Sequence, residues 1–107
     1  MASRLDNIAD WESLARECHY STPKLAQACH VSVRQLQRFF GASFHAPLAA
    51  WLRQLRLQDA AVRLRRGYRV KEVAALMGFK HRPNFSAAFH RQFGFFPSRF
   101  YSEKWIP

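Results

Sequence analysis

The chain has 107 residues, 49% hydrophobic and 15% aromatic, enough apolar mass for a folded domain rather than a disordered segment. No run of about 18 apolar residues occurs, which excludes a transmembrane helix, and the opening "MASRLDNIADWE" carries early acids and no apolar stretch, which argues against a signal peptide. Seventeen Lys and Arg against seven Asp and Glu give a formal net charge of +10, so a polyanion is the expected partner, nucleic acid before an anionic membrane.

Leu5, Ile8, Trp11, Leu14, Ala15 and Cys18 recur at helical spacing and predict a first helix over about residues 5–18. In "YSTPK", Ser21 or Thr22 is an N-cap and Pro23 sits in a first turn, where its missing N–H costs nothing; a short helix then runs to about Cys29. "HVS" is a tight turn. Ser32 and Gln35 have capping-box spacing and open a further helix whose apolar side is Leu36, Phe39 and Phe40. After "GASFHAP", a long helix from about Pro47 to Arg66 is marked by Leu48, Trp51, Leu52, Leu55 and Val62, and stops at Gly67. Val70, Val73, Ala74 and Met77 mark a short helix ended by Gly78. Phe85, Phe89 and Phe93 form the core stripe of the next, and Pro97 starts a last short turn. Strand-like alternation is absent, so the class is all-α, with about seven helices.

Two of these segments are copies of one another. Leu25, Ala26, Cys29, His30 and Val31 match Val73, Ala74, Met77, Gly78 and Phe79 at an offset of 48. After a one-residue insertion, Ser32, Leu36 and Phe40 match His81, Phe85 and Phe89 at an offset of 49. Each copy is a short helix, a tight turn and a longer helix, the helix-turn-helix plan. The chain thus divides into a first helix-turn-helix subdomain (5–46), a connecting helix (47–66) and a second subdomain (67–107).

Subtracting the apolar stripe from the first copy's second helix leaves Val33, Arg34, Gln37 and Arg38 facing outward. The N-terminal turns of such a helix enter the major groove, where Arg pairs with guanine O6 and N7 and Gln with adenine N6 and N7. In the second copy the outward residues are Arg82, Asn84, Ser86 and His90. Arg34, Gln37, Arg38, Arg82 and Ser86 are therefore the expected base contacts, and Lys24, Ser32, Arg53, Arg56, Asn84, His90 and Arg91 the expected contacts to the DNA backbone. Two such helices at the ends of a connector roughly 30 Å long would reach successive major-groove segments about 34 Å apart on one face of the duplex. The surplus of bases is concentrated where this reading needs it. Four of the seven acids precede Cys18, and none lies between Cys18 and Gln58, where Lys24, Arg34, Arg38, Arg53 and Arg56 fall.

No nucleotide loop, nucleophile elbow or metal-ligand spacing occurs, so neither an enzyme nor a metal or other cofactor is expected. Cys18 and Cys29 occupy apolar helix positions and read as buried, reduced thiols. Two other readings stay open on these grounds. One is a protein-interaction module whose acidic first helix and basic body bind a partner regulator or polymerase. The other is a nonspecific nucleoid binder in which charge alone supplies affinity.

The segments "SVRQLQRFF" (32–40), "LRQLRLQDAAVRL" (52–64) and "VKEVAALMGFKHRPNFSAAFHRQFGFFPSRFY" (70–101) resemble the AraC/XylS family of bacterial transcription regulators, and the likeness covers about residues 10–102. The third carries that family's run of A-x-x-x-GF, F-x-x-x-F, FG and P-x-x-(Y/F). The resemblance implies a seven-helix, two-subdomain fold and a cytoplasmic, nucleoid-associated protein. It also implies that this domain binds double-stranded promoter DNA as a monomer and activates through RNA polymerase. Carried over by position, it puts base contacts on Arg34, Gln37 and Arg38 and on Arg82, Pro83, Ser86 and Ala87, and it matches Arg56 to a frequent arginine of the connecting helix. His30 and His45 replace family glycines and imply a left-handed backbone at non-glycine residues. Ala87 stands where a basic residue is common and Pro83 where a serine is, so the second reader is expected to be the weaker. Most members carry a sensor or dimerisation domain ahead of this one, for which these 107 residues leave no room.

Overall fold

The computed structural model describes Leu5 and residues 8–100. Among these, six helices follow one another without a strand: α1 (Trp11–Glu17), α2 (Thr22–Ala28), α3 (Val33–Ser43), α4 (Leu48–Arg65), α5 (Val70–Leu76) and α6 (Arg82–Phe93). A further turn begins at Pro97, where the Arg99 N–H donates to the Phe96 carbonyl at 3.1 Å; its continuation past residue 100, and residues 6 and 7 of the expected first helix, lie outside the described residues.

The α1 helix starts later than the apolar spacing predicts. The Asp10 carboxylate accepts from the Ser13 N–H at 3.0 Å and from the Ser13 hydroxyl at 2.7 Å, so the N-cap is at Asp10. These two hydrogen bonds hold the Asp10 carboxyl below its ordinary pKa. Leu5 is nevertheless buried with the core. Ser21 caps α2, with Pro23 in its first turn. Ser32 caps α3 through the expected box: its Oγ accepts from the Gln35 N–H at 3.1 Å, and the Gln35 side chain accepts from the Ser32 N–H at 2.8 Å.

Two compact units result, Met1–Leu55 and Arg56–Pro107, with the boundary inside α4 rather than at its ends. The first unit is built on Trp11, Ala15, Leu25, Ala26, Leu36, Phe40, Leu48, Leu52 and Leu55. Phe40 is fully buried, with ring centroids of Trp11, Phe44 and Trp51 at 4.9, 4.7 and 5.1 Å. Cys18 and Cys29 are free and buried, and burial pushes both thiols up in pKa. The second unit buries Leu57, Ala60, Leu64, Val73, Ala74, Met77, Phe85 and Phe89.

The α4 helix corrects one expectation. Val62, taken with the apolar stripe, is 42% exposed. Leu48, Leu52 and Leu55 form one stripe and Leu57, Ala60 and Leu64 another, on a different face of the same helix. Val62, seven residues after Leu55, continues the line of the first stripe, but burial has by then passed to the second face.

The repeat holds at the level of single hydrogen bonds. In the first copy, the N–H groups of Cys29, His30 and Val31 donate to the carbonyls of Leu25, Gln27 and Ala26; in the second, those of Met77, Gly78 and Phe79 donate to Val73, Ala75 and Ala74. Every bond recurs at the offset of 48 found in the sequence, and the pattern is a Schellman C-cap. Its left-handed residue is His30 (φ 57°) in one copy and Gly78 (φ 80°) in the other. His45 is left-handed too, at φ 55°. A left-handed L-residue costs about 1–2 kcal/mol, partly offset by the entropy that glycine loses on folding. His30→Gly is therefore expected to stabilise the chain by about 0.5–1 kcal/mol and Gly78→Ala to destabilise it by at least about 1 kcal/mol. Denaturant titration of the two variants checks this pair of opposite signs.

Candidate nucleic-acid interface

In the first unit the recognition face is set by which side of α3 the core takes. Leu36 and Phe40 are fully buried and Phe39 half-buried, and this fixes Arg34, Gln37 and Arg38 on the exposed side. Arg34, Gln37 and Arg38 stand at i, i+3 and i+4 within two turns of the capped N-terminus, so three long donors share one patch of surface. Val33, expected to face outward with them, is half-buried and packs against the core. The Ser32 hydroxyl serves the cap as an acceptor, which leaves its O–H proton able to donate to a phosphate. Lys24, in the first turn of α2, and Arg53, on α4, are exposed.

In the second unit Phe85 and Phe89 are fully buried, while Phe93 is only half-buried. Arg82, Pro83, Asn84, Ala87, His90 and Arg91 are exposed and Ser86 half-buried. Arg82, Ser86 and His90 succeed one another at four-residue spacing, so the structure brings them onto one face. The start of this helix differs from that of α3: His81, the counterpart of Ser32, makes no side-chain capping bond.

Two features lie beyond the sequence reading. Phe96 is 54% exposed, and its ring stacks on that of His90 with centroids 4.3 Å apart and planes 27° apart. With Val70, Arg82, Ser86, Pro97 and Ser98 it lines a cavity of about 310 Å³ beside the recognition face. A run of Phe beside FG suggests only core, and nothing in the spacing separates Phe96 from Phe95. The other feature is Arg56. It is half-buried, its Nε donates to the Met77 carbonyl, and its guanidinium carbon lies 3.9 Å from the centroid of the Phe79 ring. The other cations expected on the DNA backbone face solvent.

Among the described residues, no group of three or more His, Cys, Asp or Glu side chains is placed to hold a metal ion, and no helix is long and apolar enough to cross a membrane.

Comparison with known proteins gives a concordant result. The helix-turn-helix domain family matches residues 25–103. The HTH-type transcriptional regulator RipA of Corynebacterium diphtheriae is 36% identical over 85 residues, which cover 78% of this chain and 25% of RipA, so the chain spans about a quarter of the length of that curated relative. The crystal structure of a transcriptional regulator from Chromobacterium violaceum, described among AraC-type DNA-binding domain-containing proteins, superposes with a TM-score of 0.73 over 88% of this chain and 90% of that one, at 23% identity. That likeness shows the fold. With the tandem turns, the outward cations and the matched family together, the chain belongs to the AraC/XylS-type helix-turn-helix DNA-binding domains of transcription regulators.

Proposed function

We propose that this domain binds a specific, asymmetric site in double-stranded promoter DNA by inserting α3 and α6 into successive major grooves. In this reading Arg34, Gln37 and Arg38 read base edges from α3, and Arg82 and Ser86 read them from α6. Lys24, Ser32, Arg53, Asn84, His90 and Arg91 hold the phosphates and set the register. One polypeptide would then bind as a monomer, act in the bacterial cytoplasm at the nucleoid, and activate transcription with RNA polymerase. The observation that carries the proposal is the pair of exposed cations, with Gln37 between them, on a capped helix whose opposite side is fully buried.

Selection of sites from a random duplex library tests it. The expected result is an asymmetric consensus that random duplex competes for poorly. Equal competition by random duplex would leave only a charge-driven binder, and capture of a partner protein without any DNA preference would leave an interaction module.

The two halves of the selected site are expected to differ in information content. Three long donors share the α3 face, whereas Arg82 stands beside Pro83, Ser86 and Ala87. A good bidentate pair discriminates by about 1–3 kcal/mol, so Arg34→Ala and Arg38→Ala should each relax base preference in one half. Arg82→Ala should cost less preference, while the half under α6 still contributes phosphate affinity. Equal information in both halves for the unaltered chain contradicts this lopsided reading.

A further inference from the structure

We infer that Arg56 is a positioning residue that aims the second recognition helix, and that Gly78 is glycine partly to make room for it. The inference rests on α6 reading DNA, as proposed above.

Arg56 reaches from α4 to the turn between α5 and α6 and meets the first three residues of that turn, Met77, Gly78 and Phe79. Its Nε donates to the carbonyl of Met77, the C-cap of α5, a charge-assisted bond to one of the carbonyls that a helix end leaves without a partner. Its guanidinium lies over the Phe79 ring, with 3.9 Å from the guanidinium carbon to the ring centroid, a cation–π contact. A Cβ placed on Gly78 would stand 3.3 Å from its terminal nitrogen, closer than the side chain can accept without moving. Phe79 in turn packs on Phe85 of α6, with centroids 5.3 Å apart, and Phe85 is fully buried one turn from Arg82. A continuous run of contacts therefore leads from Arg56 through the turn to the first turns of α6, where the reading residues stand.

The repeat supplies an internal control. The first copy has the same turn hydrogen bonds but Val31 where the second has Phe79, and it holds exposed His30 where the second has Gly78. A side chain is admitted at the left-handed position of one copy, and in the other even a Cβ would press on the arginine at 3.3 Å. The capping box that fixes the start of α3 has no counterpart at His81. In the second copy, the turn is fixed from below by a guanidinium instead.

A guanidinium on phosphate and a guanidinium clamping a turn respond differently to lysine. An ammonium keeps the charge that phosphate attracts, but it lacks the planar fork and the Nε–H that the turn uses. Arg56→Lys and Arg56→Met should be compared with the unaltered chain on the selected site. The readouts are affinity, its salt dependence, and hydroxyl-radical protection of each half. The expected result is an affinity loss of roughly 2- to 30-fold for both variants, the size of couplings carried through packed contacts. Protection should be lost in the α6 half alone, with the salt slope kept by Arg56→Lys. Amide shifts measured without DNA should move over residues 79–86 and hold over residues 33–40.

Affinity unchanged by Arg56→Lys, with uniform weakening and a salt slope shallower by about one unit for Arg56→Met, would make Arg56 a phosphate contact and overturn the inference. Parallel loss of protection in both halves would overturn it too, by making Arg56 a general stability residue. If the unaltered chain selects no site, the function proposed above fails. The DNA-free amide shifts then decide the positioning alone, and shifts of residues 79–86 unmoved by Arg56→Lys reject it.

Discussion

Raising the salt from about 50 to about 200 mM is expected to weaken DNA binding by a factor of roughly 10³–10⁵. The cause is release of counterions from each phosphate that a cation displaces. Six to ten phosphate contacts correspond to a slope of log affinity against log salt of roughly −5 to −9. The chain has the cations for this: Lys24, Arg34, Arg38, Arg53, Lys80, Arg82, Arg91 and Arg99 are all exposed, and no acid falls between Cys18 and Gln58 to oppose the first four. Titration of a labelled duplex at several salt concentrations measures the slope. A slope near zero would remove DNA as the partner and favour the protein-interaction reading.

Phe89→Ala is expected to destabilise the fold by about 3–5 kcal/mol, a large part of the total for a small domain. Phe89 is fully buried, and its ring centroid lies 5.8, 4.5, 5.7 and 6.0 Å from those of Phe85, Phe93, Phe95 and Phe100. Truncation removes the ring that the other four pack around, and α6, Phe95 and the Pro97 turn cannot all close on the space. The loss should be concentrated in residues 56–107, so hydrogen exchange there should accelerate first. Unchanged thermal stability with DNA binding lost would mean that the Phe85–Phe89 stripe is a binding surface and that α6 faces the other way.

What could be read in the sequence and what could not divide along a physical line. The Ser32–Gln35 cap, Pro23 in a first turn and the Gly78 stop are local: each is set by residues within four positions, so spacing suffices. The repeat was legible because both copies solve the same local problem with the same hydrogen bonds. The left-handed backbone at His30 and His45 followed from glycines expected at those places by resemblance, not from the histidines themselves. The start of α1 was misplaced because Leu5 and Ile8 keep apolar character outside the α-helix, and periodicity does not distinguish a helical residue from a neighbouring one that also faces the core. Val62 keeps the spacing of Leu48 and Leu55 yet is exposed, because the buried face of α4 changes after Leu55 and periodicity alone does not show where a stripe ends. The outward faces of α3 and α6 were legible by subtraction, since the Phe and Leu positions left only one side free. Arg56 reads in the sequence as a contact to the DNA backbone, and its packing on Met77 and Phe79 is not legible there because both lie more than 20 residues away. The exposed Phe96 is not legible for a different reason: its partner His90 is only six residues away, but the two rings meet through the path of the chain after Gly94, whose left-handed backbone (φ 82°) turns it back along α6.

The missing cap at His81 has a consequence for how such a protein could diversify. A helix held by a capping box starts at one residue and keeps its first turn closed, whereas an uncapped start can open or re-form at smaller cost. In the proposed reading α3 thus starts on a turn closed by its own cap, whereas the start of α6 has no such bond and relies on the Arg56 contacts to the turn before it. On that reading the two halves of the site could change one at a time, with the α3 half preserving occupancy while the α6 half, whose helix is aimed from α4, acquires new bases.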